Sequence, residues 1–365
     1  MKKHDFKNYH VFSSSFVLFL SAMRRIDFHI KEKSSAIVVG ESLKNASHYL
    51  PQKKVSIITD SNIRRLYSAF FPEGDIYEVA PGEASKSLTV VEDICRRMAE
   101  NGADRNSFIL GIGGGVVCDL AGLVASLFMR GVSHGFVSAS LLSQVDASVG
   151  GKTGVNTGGF KNVIGTFKLP EFVICDVSML STLPENEFVS GLGELVKTAA
   201  IADRSMFYEI MEKKEAIMLK DVTLLEDLIY RSLLIKTAIA GRDFEEAGER
   251  RILNFGHTFG HPIEVIDGIS HGEAVMKGMI LAGLWSVKKG YLSEKHFADL
   301  KSLITQFGVE PQHYFPDRFR QLVSADKKKT GEFIYFVFLM EPGKAEYMKV
   351  TQKEMFEFLD TLVIN

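Results

Sequence analysis

Residues 108–122 read FILGIGGGVVCDLAG: an apolar run, three consecutive glycines, then a second apolar run with helical spacing. The first run suits a buried strand, the last a helix, and the glycines the tight turn between them. A strand, turn and helix in this order aim backbone N–H groups and a helix N-terminus at an anion such as pyrophosphate. The usual dinucleotide fingerprint is only partly present. Gly111 and Gly113 fit G-x-G, but Val116 stands where the last glycine belongs. Asp60, ending the run VSIITD, is placed to take ribose hydroxyls, yet it precedes the glycine turn. The stretch therefore points to a nucleotide-binding α/β unit of non-standard order, weighed against a tight turn with a purely structural purpose.

Working outward, the first half alternates short apolar runs with amphipathic ones. Strands are expected at Ile37–Val39, Val55–Thr59, Ile76–Val79, Phe108–Ile112, Gly135–Val137 and Phe172–Cys175. Helices are expected at Asn62–Phe70, Leu88–Asn101 and Asp119–Arg130. This alternation implies a mostly parallel sheet covered by helices. The character changes near Ser181. Thr182 and Glu185 have capping-box spacing around Pro184, and the period stays helical to about Phe319, as in Val275, Met279 and Ala282. Phe333–Met340 and Tyr347–Val350, joined through Pro342-Gly343, read as a closing hairpin. The expected fold is an α/β N-terminal nucleotide-binding domain (23–180) followed by a mainly α-helical C-terminal metal-binding domain (181–365).

At 365 residues, with 46% hydrophobic and 24% charged residues, the chain has the composition of a globular enzyme with a large core. A net charge of −2, with no basic stripe beyond Lys327–Lys329, argues against a general nucleic-acid binder. Cys95, Cys118 and Cys175 are widely spaced, form neither a disulfide framework nor a metal set, and suit a reducing cytoplasm. Lys2 and Lys3 followed by VFSSSFVLFLSAM imitate a secretory signal. The unbroken apolar run Phe16–Leu20 is too short to span a membrane, and Met23 leads directly into a first strand. Residues 1–22 are expected to be an over-extended start.

Two further regions carry charge. The segment QVDASVGGKTGVNTGGFKN (144–162) sets Asp146, Lys152, Lys161 and Asn162 among five glycines, with almost no bulk between them. A flexible surface loop is the plain reading; lysines on a backbone free to approach a ligand also suit a phosphate. In the helical half, Glu194 lies one turn from Lys197, His257 and His261 are four apart, and His271 opens an expected helix. A carboxylate with two neutral imidazoles is a standard catalytic zinc set. Spacing favours pairing His257 with His261, and leaves His257 with His271 open.

Together these motifs resemble the 3-dehydroquinate synthases over about residues 37–350. The resemblance is carried by PGEASK (81–86), GGGVVCD (113–119), MRG (129–131), LLSQVDASVGGKTGVN (141–156) and KNVIGTF (161–167). It continues through STLP (181–184), SGLGELVK (190–197), LNFGHTFGH (253–261), HGEAV (271–275) and DKK (326–328). The resemblance implies NAD as cofactor, held by Asp60, Glu83, Lys86, Gly114, Gly115, Val116, Asp119 and Lys161, with Ala139, Ser140 and Thr182 alongside. It implies a divalent metal, zinc or cobalt, on Glu194, His257 and His271, with His261 on the substrate side. Arg130, Lys152, Asn162, Asn254 and Lys327 are the implied grips on the substrate's phosphate and carboxylate. Asp146, Lys197, Lys236 and Arg250 complete the polar pocket. The implied substrate is the seven-carbon keto-acid phosphate DAHP, and the implied assembly a homodimer in which Arg130 reaches the neighbouring site.

Where relatives have two threonines, this chain reads Ser138-Ala139-Ser140, so one hydroxyl near the cofactor is lost at Ala139. Cys118, Gly193 and Thr198 are further departures from the family pattern, none of them at a proposed ligand. Three rivals share parts of this pattern. A metal-dependent polyol or glycerol dehydrogenase would have no use for Lys152, Lys161, Asn162 and Arg130 together. A sister sugar-phosphate cyclase differs only in substrate. A non-catalytic NAD or metal sensor would have lost some of the charged positions.

Overall fold

The computed structural model describes residues 23–158, 160–312, 317–324, 329–330 and 333–363. Seven strands form the central sheet: β1 (Arg24–Ile30), β2 (Lys33–Val39), β3 (Val55–Asp60), β4 (Asp75–Val79), β5 (Phe108–Gly113), β6 (Ser133–Ser138) and, after a separate two-stranded hairpin of β7 (Lys152–Thr157) and β8 (Phe160–Phe167), β9 (Phe172–Cys175). Their order is β1-β2-β9-β6-β5-β3-β4. Only the β1–β2 pair is antiparallel. Strands β5 and β9 are buried along their whole length, as strands covered on both faces must be. The helices α1 (Ser61–Tyr67) and α2 (Leu88–Glu100) lie close to the expected ones, while α3 (Gly115–Leu127) begins directly after the glycine turn instead of at Asp119 and ends before Arg130, because Met129 and Arg130 take positive φ.

The chain runs outward from β3 to β4 and returns to place β5 on the other side of β3. Connections leaving β3 and β5 therefore diverge and open a crevice at the carboxyl ends of the strands, where ligands of such sheets bind. Asp60 ends β3, and Gly82–Glu83, Gly114–Gly115 and Ala139–Ser140 follow the ends of β4, β5 and β6, so one edge of the sheet collects them.

The glycine-rich stretch 144–162 is not a flexible loop. Residues Ser143–Ala147 make one π-helical turn, and β7 and β8 then pair antiparallel in a register that extends to Phe167. This hairpin lies flat on α3 because Gly122 has no side chain: a Cβ there would come within 2.4 Å of Thr153 Cγ2.

The helical half comprises α4 (Glu185–Ala202), α5 (Arg204–Glu212), α6 (Lys214–Met218), α7 (Val222–Arg242), α8 (His257–Asp267), α9 (His271–Lys288), α10 (Glu294–Thr305) and α11 (Asp317–Ser324). It closes with β10 (Lys329–Thr330), the expected hairpin β11 (Phe333–Glu341) and β12 (Lys344–Thr351), and α12 (Gln352–Val363). The anticipated capping box is not formed. Pro184 itself is the N-cap of α4, and the Thr182 hydroxyl bonds Tyr67 Oη (2.6 Å) and the Met179 carbonyl (3.1 Å) instead. An aromatic cluster of Trp285, Phe259, Phe336 and Phe358 fills the core between α8, α9 and the closing elements. Helix α9 crosses α4 and α8 with backbones nearly touching. A Cβ on Gly272 would lie 1.7 Å from the Ser190 carbonyl oxygen, and one on Gly278 2.0 Å from that of Gly256. Among the described residues, no helix is long and apolar enough to cross a membrane.

Candidate active site

The α4, α8 and α9 crossing brings Glu194, His257 and His271 together, with one ligand atom from each lying within 4.8 Å of the others. Glu194 Oε1 is 3.3 Å from both His257 Nε2 and His271 Nε2. It has no hydrogen-bond partner although the side chain is only 1% exposed. Glu194 Oε2 accepts from the Lys197 ammonium one turn along α4. Each imidazole uses its other nitrogen locally: His257 Nδ1 faces the Phe255 carbonyl, and His271 Nδ1 faces Glu264 Oε2, both at 3.1 Å. That arrangement turns both Nε2 atoms towards Glu194 Oε1.

The electrostatics agree with the geometry. Burial alone would raise the Glu194 carboxyl, but Lys197 and the imidazoles hold it well below the usual carboxylate range. Burial also keeps His257 below its ordinary pKa, and so neutral, despite the nearby Glu194. For His271, the carboxylates of Glu194 and Glu264 outweigh burial and push it up to about 9. Two imidazole nitrogens converging on a carboxylate held in its charged form make a donor set that suits a divalent cation, whose binding would displace the His271 proton. His261, the partner favoured by spacing, is exposed and outside this set, its ring edge-on to His257 at 5.2 Å. Four-residue spacing sets two side chains on one face, but the imidazole that reaches Glu194 beside His257 comes from α9, outside the helix.

A cleft of about 1210 Å³ runs from this corner to the sheet edge. Its far wall is the turn Gly113–Gly115. Gly114 is the N-cap of α3 without a side-chain cap, so the first N–H groups of that helix face the cleft with no protein partner of that kind. Glycine is needed in this stretch for proximity: Cβ atoms on Gly111 and Gly113 would lie 2.9 Å from Ala121 and 2.6 Å from Val117. Asp60 lines the cleft but also caps α1, accepting from Asn62 N (2.9 Å) and Ile63 N (3.0 Å). Lys86, 5% exposed, bridges Asp119 Oδ2 (2.6 Å) and Asn162 Oδ1 (2.7 Å), joining the 81–86 turn to α3 and β8. Burial moves Asp119 up to about 6 against the pull of Lys86.

The hairpin and α7 supply the remaining charges. Lys236 Nζ on α7 holds Asp146 at 2.5 Å, and burial lowers this ammonium to about 8 despite its partner. Arg250 donates to the Gly150 (3.2 Å) and Phe244 (2.6 Å) carbonyls. Lys152 and Lys161 are about half exposed, and each pairs with a carboxylate of the helical half, Glu246 and Glu264 respectively. Asn254 Nδ2 shares Glu246 at 2.5 Å. Ala139, Ser140, Val116, Glu83, Thr182 and Lys197 also line the cleft. Arg130 does not: it is exposed at the end of α3, in a left-handed turn with φ of +68°. Lys327 lies outside the described residues.

Three polar residues absent from the sequence reading also belong here. Glu264 lies seven positions after His257, on the same helix face, so two-turn periodicity would have found it. Glu246 sits in an irregular segment at φ +61°, where no periodicity marks it. Asn156 ties the hairpin together, donating to Glu83 Oε1 (2.8 Å) and accepting from Asn162 N (2.9 Å).

Models of the 3-dehydroquinate synthase N-terminal and C-terminal regions match residues 76–190 and 191–329. A 3-dehydroquinate synthase of Alkaliphilus metalliredigens is 36% identical over 353 residues, covering 93% of this chain and 99% of its own length. One of Dictyoglomus thermophilum is 39% identical over 339 residues, covering 90% and 95%. Among solved structures, 2-epi-5-epi-valiolone synthase from Streptomyces hygroscopicus, with NAD+ and Zn2+ bound, superposes with a TM-score of 0.83. It is 24% identical, and the alignment covers 92% of this chain and 98% of that one, a likeness of fold.

Proposed function

This chain belongs to the 3-dehydroquinate synthase family, and from that premise we propose that the cleft converts DAHP to 3-dehydroquinate and phosphate in the shikimate pathway. The reaction is a transient oxidation of one hydroxyl, loss of phosphate, re-reduction and aldol closure. The observation that carries the reading is the unpartnered Glu194 Oε1 between two imidazole nitrogens, at the inner end of a cleft walled by an anion-directed glycine turn.

NAD supplies the reversible hydride acceptor, and its site is the sheet edge, with Gly114, Gly115 and Val116 towards the pyrophosphate and Asp60, Glu83, Lys86, Asp119, Ala139, Ser140, Lys161 and Thr182 around it. The donor set Glu194, His257 and His271 fits a divalent cation, zinc or cobalt, which when bound polarises the oxygen of the reacting carbon. The chain's own residues do the rest. Lys152, with Asn162, grips the departing phosphate, and charge-assisted bonds of about 1.5–3 kcal/mol each orient it. Taking that position, a phosphate replaces Glu246 as the Lys152 partner. Lys236, Arg250 and Asn254 hold the polar rim, with Lys327 as a further anchor. Lys197 neutralises Glu194, Asp146 is held by Lys236, and His261, exposed beside His257, is the candidate proton carrier.

The phosphate grip is completed from a second subunit. Arg130 is exposed and off its own cleft, beside the exposed apolar side chains of Leu127 and Met129, which suits a homodimer interface. We place the domain boundary at 180/181 and the enzyme in the cytoplasm. Purified protein given DAHP, zinc and catalytic NAD should release phosphate and dehydroquinate in equal amounts, with no net NADH. Stoichiometric NADH without phosphate would identify a dehydrogenase instead. For the dimer, mixing the impaired Arg130→Ala and Lys152→Ala chains should raise activity above that of either alone, since one site of each mixed dimer is intact. A mixture no more active than the separate variants would place Arg130 elsewhere.

A further inference from the structure

The carboxylate of Glu264, on α8, is 8% exposed and divided between two partners. Oε2 is 3.1 Å from His271 Nδ1, and Oε1 accepts from Lys161 on β8. His271 comes from a different helix, so nothing in α8 itself requires this contact. We propose that Glu264 is the positioning residue of the metal centre, with Lys161 holding Glu264 in place from the cofactor hairpin. Through its bond to Nδ1, Glu264 fixes the tautomer and plane of His271, so the Nε2 lone pair stays on the point shared with Glu194 and His257. A carboxylate also raises the donor strength of the ring it accepts from. His257 has only a backbone carbonyl in the corresponding place, so the two imidazoles are supported unequally. Lys161 thus joins the two halves of the site: it lies on the cofactor hairpin, yet acts on the metal side through Glu264. A hairpin charge and a helical-domain ligand are then parts of one chain of contacts, Lys161, Glu264, His271 and Glu194.

The inference rests on the metal reading above. It is tested by Co2+ titration of the whole protein against a chromophoric chelator, with neither NAD nor substrate present. Glu264→Ala should bind Co2+ about 10–100-fold more weakly. Glu264→Gln, which keeps the shape and one acceptor oxygen, should lose less and show an altered visible Co2+ spectrum. Lys161→Ala should weaken Co2+ binding in the parent but not further in Glu264→Ala, because its effect passes through that carboxylate. Folding is checked by circular dichroism, and the Gln variant carries the test if Ala unfolds. Affinities within twofold of the parent for both Glu264 variants overturn the inference alone, and a further loss in the double variant overturns the part given to Lys161. A parent that binds no Co2+ overturns the metal reading, and this inference with it.

Discussion

Among the described residues, imidazoles largely enclosed by protein occur in two parts of this molecule, with opposite consequences. In the helical corner, His257 and His271 each bond through Nδ1 and turn Nε2 towards an unpartnered carboxylate oxygen. In the central sheet, His134 on β6 is 1% exposed and neither ring nitrogen has a partner. It packs against Phe136 at 5.0 Å, and burial, aided by Lys168, lowers its pKa to about 3. A histidine becomes a ligand through what its second nitrogen touches; burial alone makes a neutral, costly piece of core.

The sharpest way to break this contrast is to remove a donor from the corner. Glu194→Gln or His271→Ala should lower kcat at least roughly a thousandfold, the loss expected when several kcal/mol of charge stabilisation disappears. Exhaustive chelation should likewise abolish turnover, with zinc or cobalt restoring it. Full activity after chelation would remove the distinction between the two regions.

The sheet histidine should show itself in acid. An unfolded chain protonates this group near the usual 6.5, whereas the native one resists until about 3. Its contribution to stability is therefore complete above pH 6.5 and lost as the pH falls towards 3. At pH 4.5 that is about 3 kcal/mol, roughly a hundredfold in the folding equilibrium. Urea unfolding of His134→Phe at pH 7 and 4.5 should show this smaller acid loss relative to the parent. Equal losses in the two proteins would mean that His134 has found a partner.

Smaller effects are expected at the half-exposed hairpin charges. Lys152→Ala should cost at least roughly tenfold in kcat/KM, about one phosphate contact, while thermal unfolding stays close to that of the parent. Near-normal kinetics would move the phosphate grip elsewhere. Smallest is the missing hydroxyl: Ala139→Ser should tighten NAD by about 0.5–1.5 kcal/mol, or roughly two- to tenfold, measured by calorimetry. Unchanged affinity would place Ala139 out of reach of the cofactor.

How far the sequence could be read depended on whether a signal was local. Strand β5, the glycine turn and α3 are contiguous, so their apolar periods and breakers showed the whole unit. The hairpin β7–β8 was hidden because its glycines and polar residues resemble a loop; the alternation that makes it a hairpin only has meaning against α3. The 182–185 capping spacing was genuine in composition, but Thr182 found a better partner in Tyr67. Spacing along one helix favours His261 over His271, since it says nothing about which neighbouring helix will cross; only the family resemblance implies His271.

The amino-acid order alone determined the layered α/β half, the helical half and the kinds of charge each carries, because hydrophobic period and turn chemistry act over a few residues. Tertiary structure decided which of those charges meet. The glycine-lined crossing of α9 over α4 selected His271, and the reversal between β3 and β5 gathered strand ends far apart in the chain. Contacts between distant segments depend on how closely backbones approach, and that distance exists only once the core has closed.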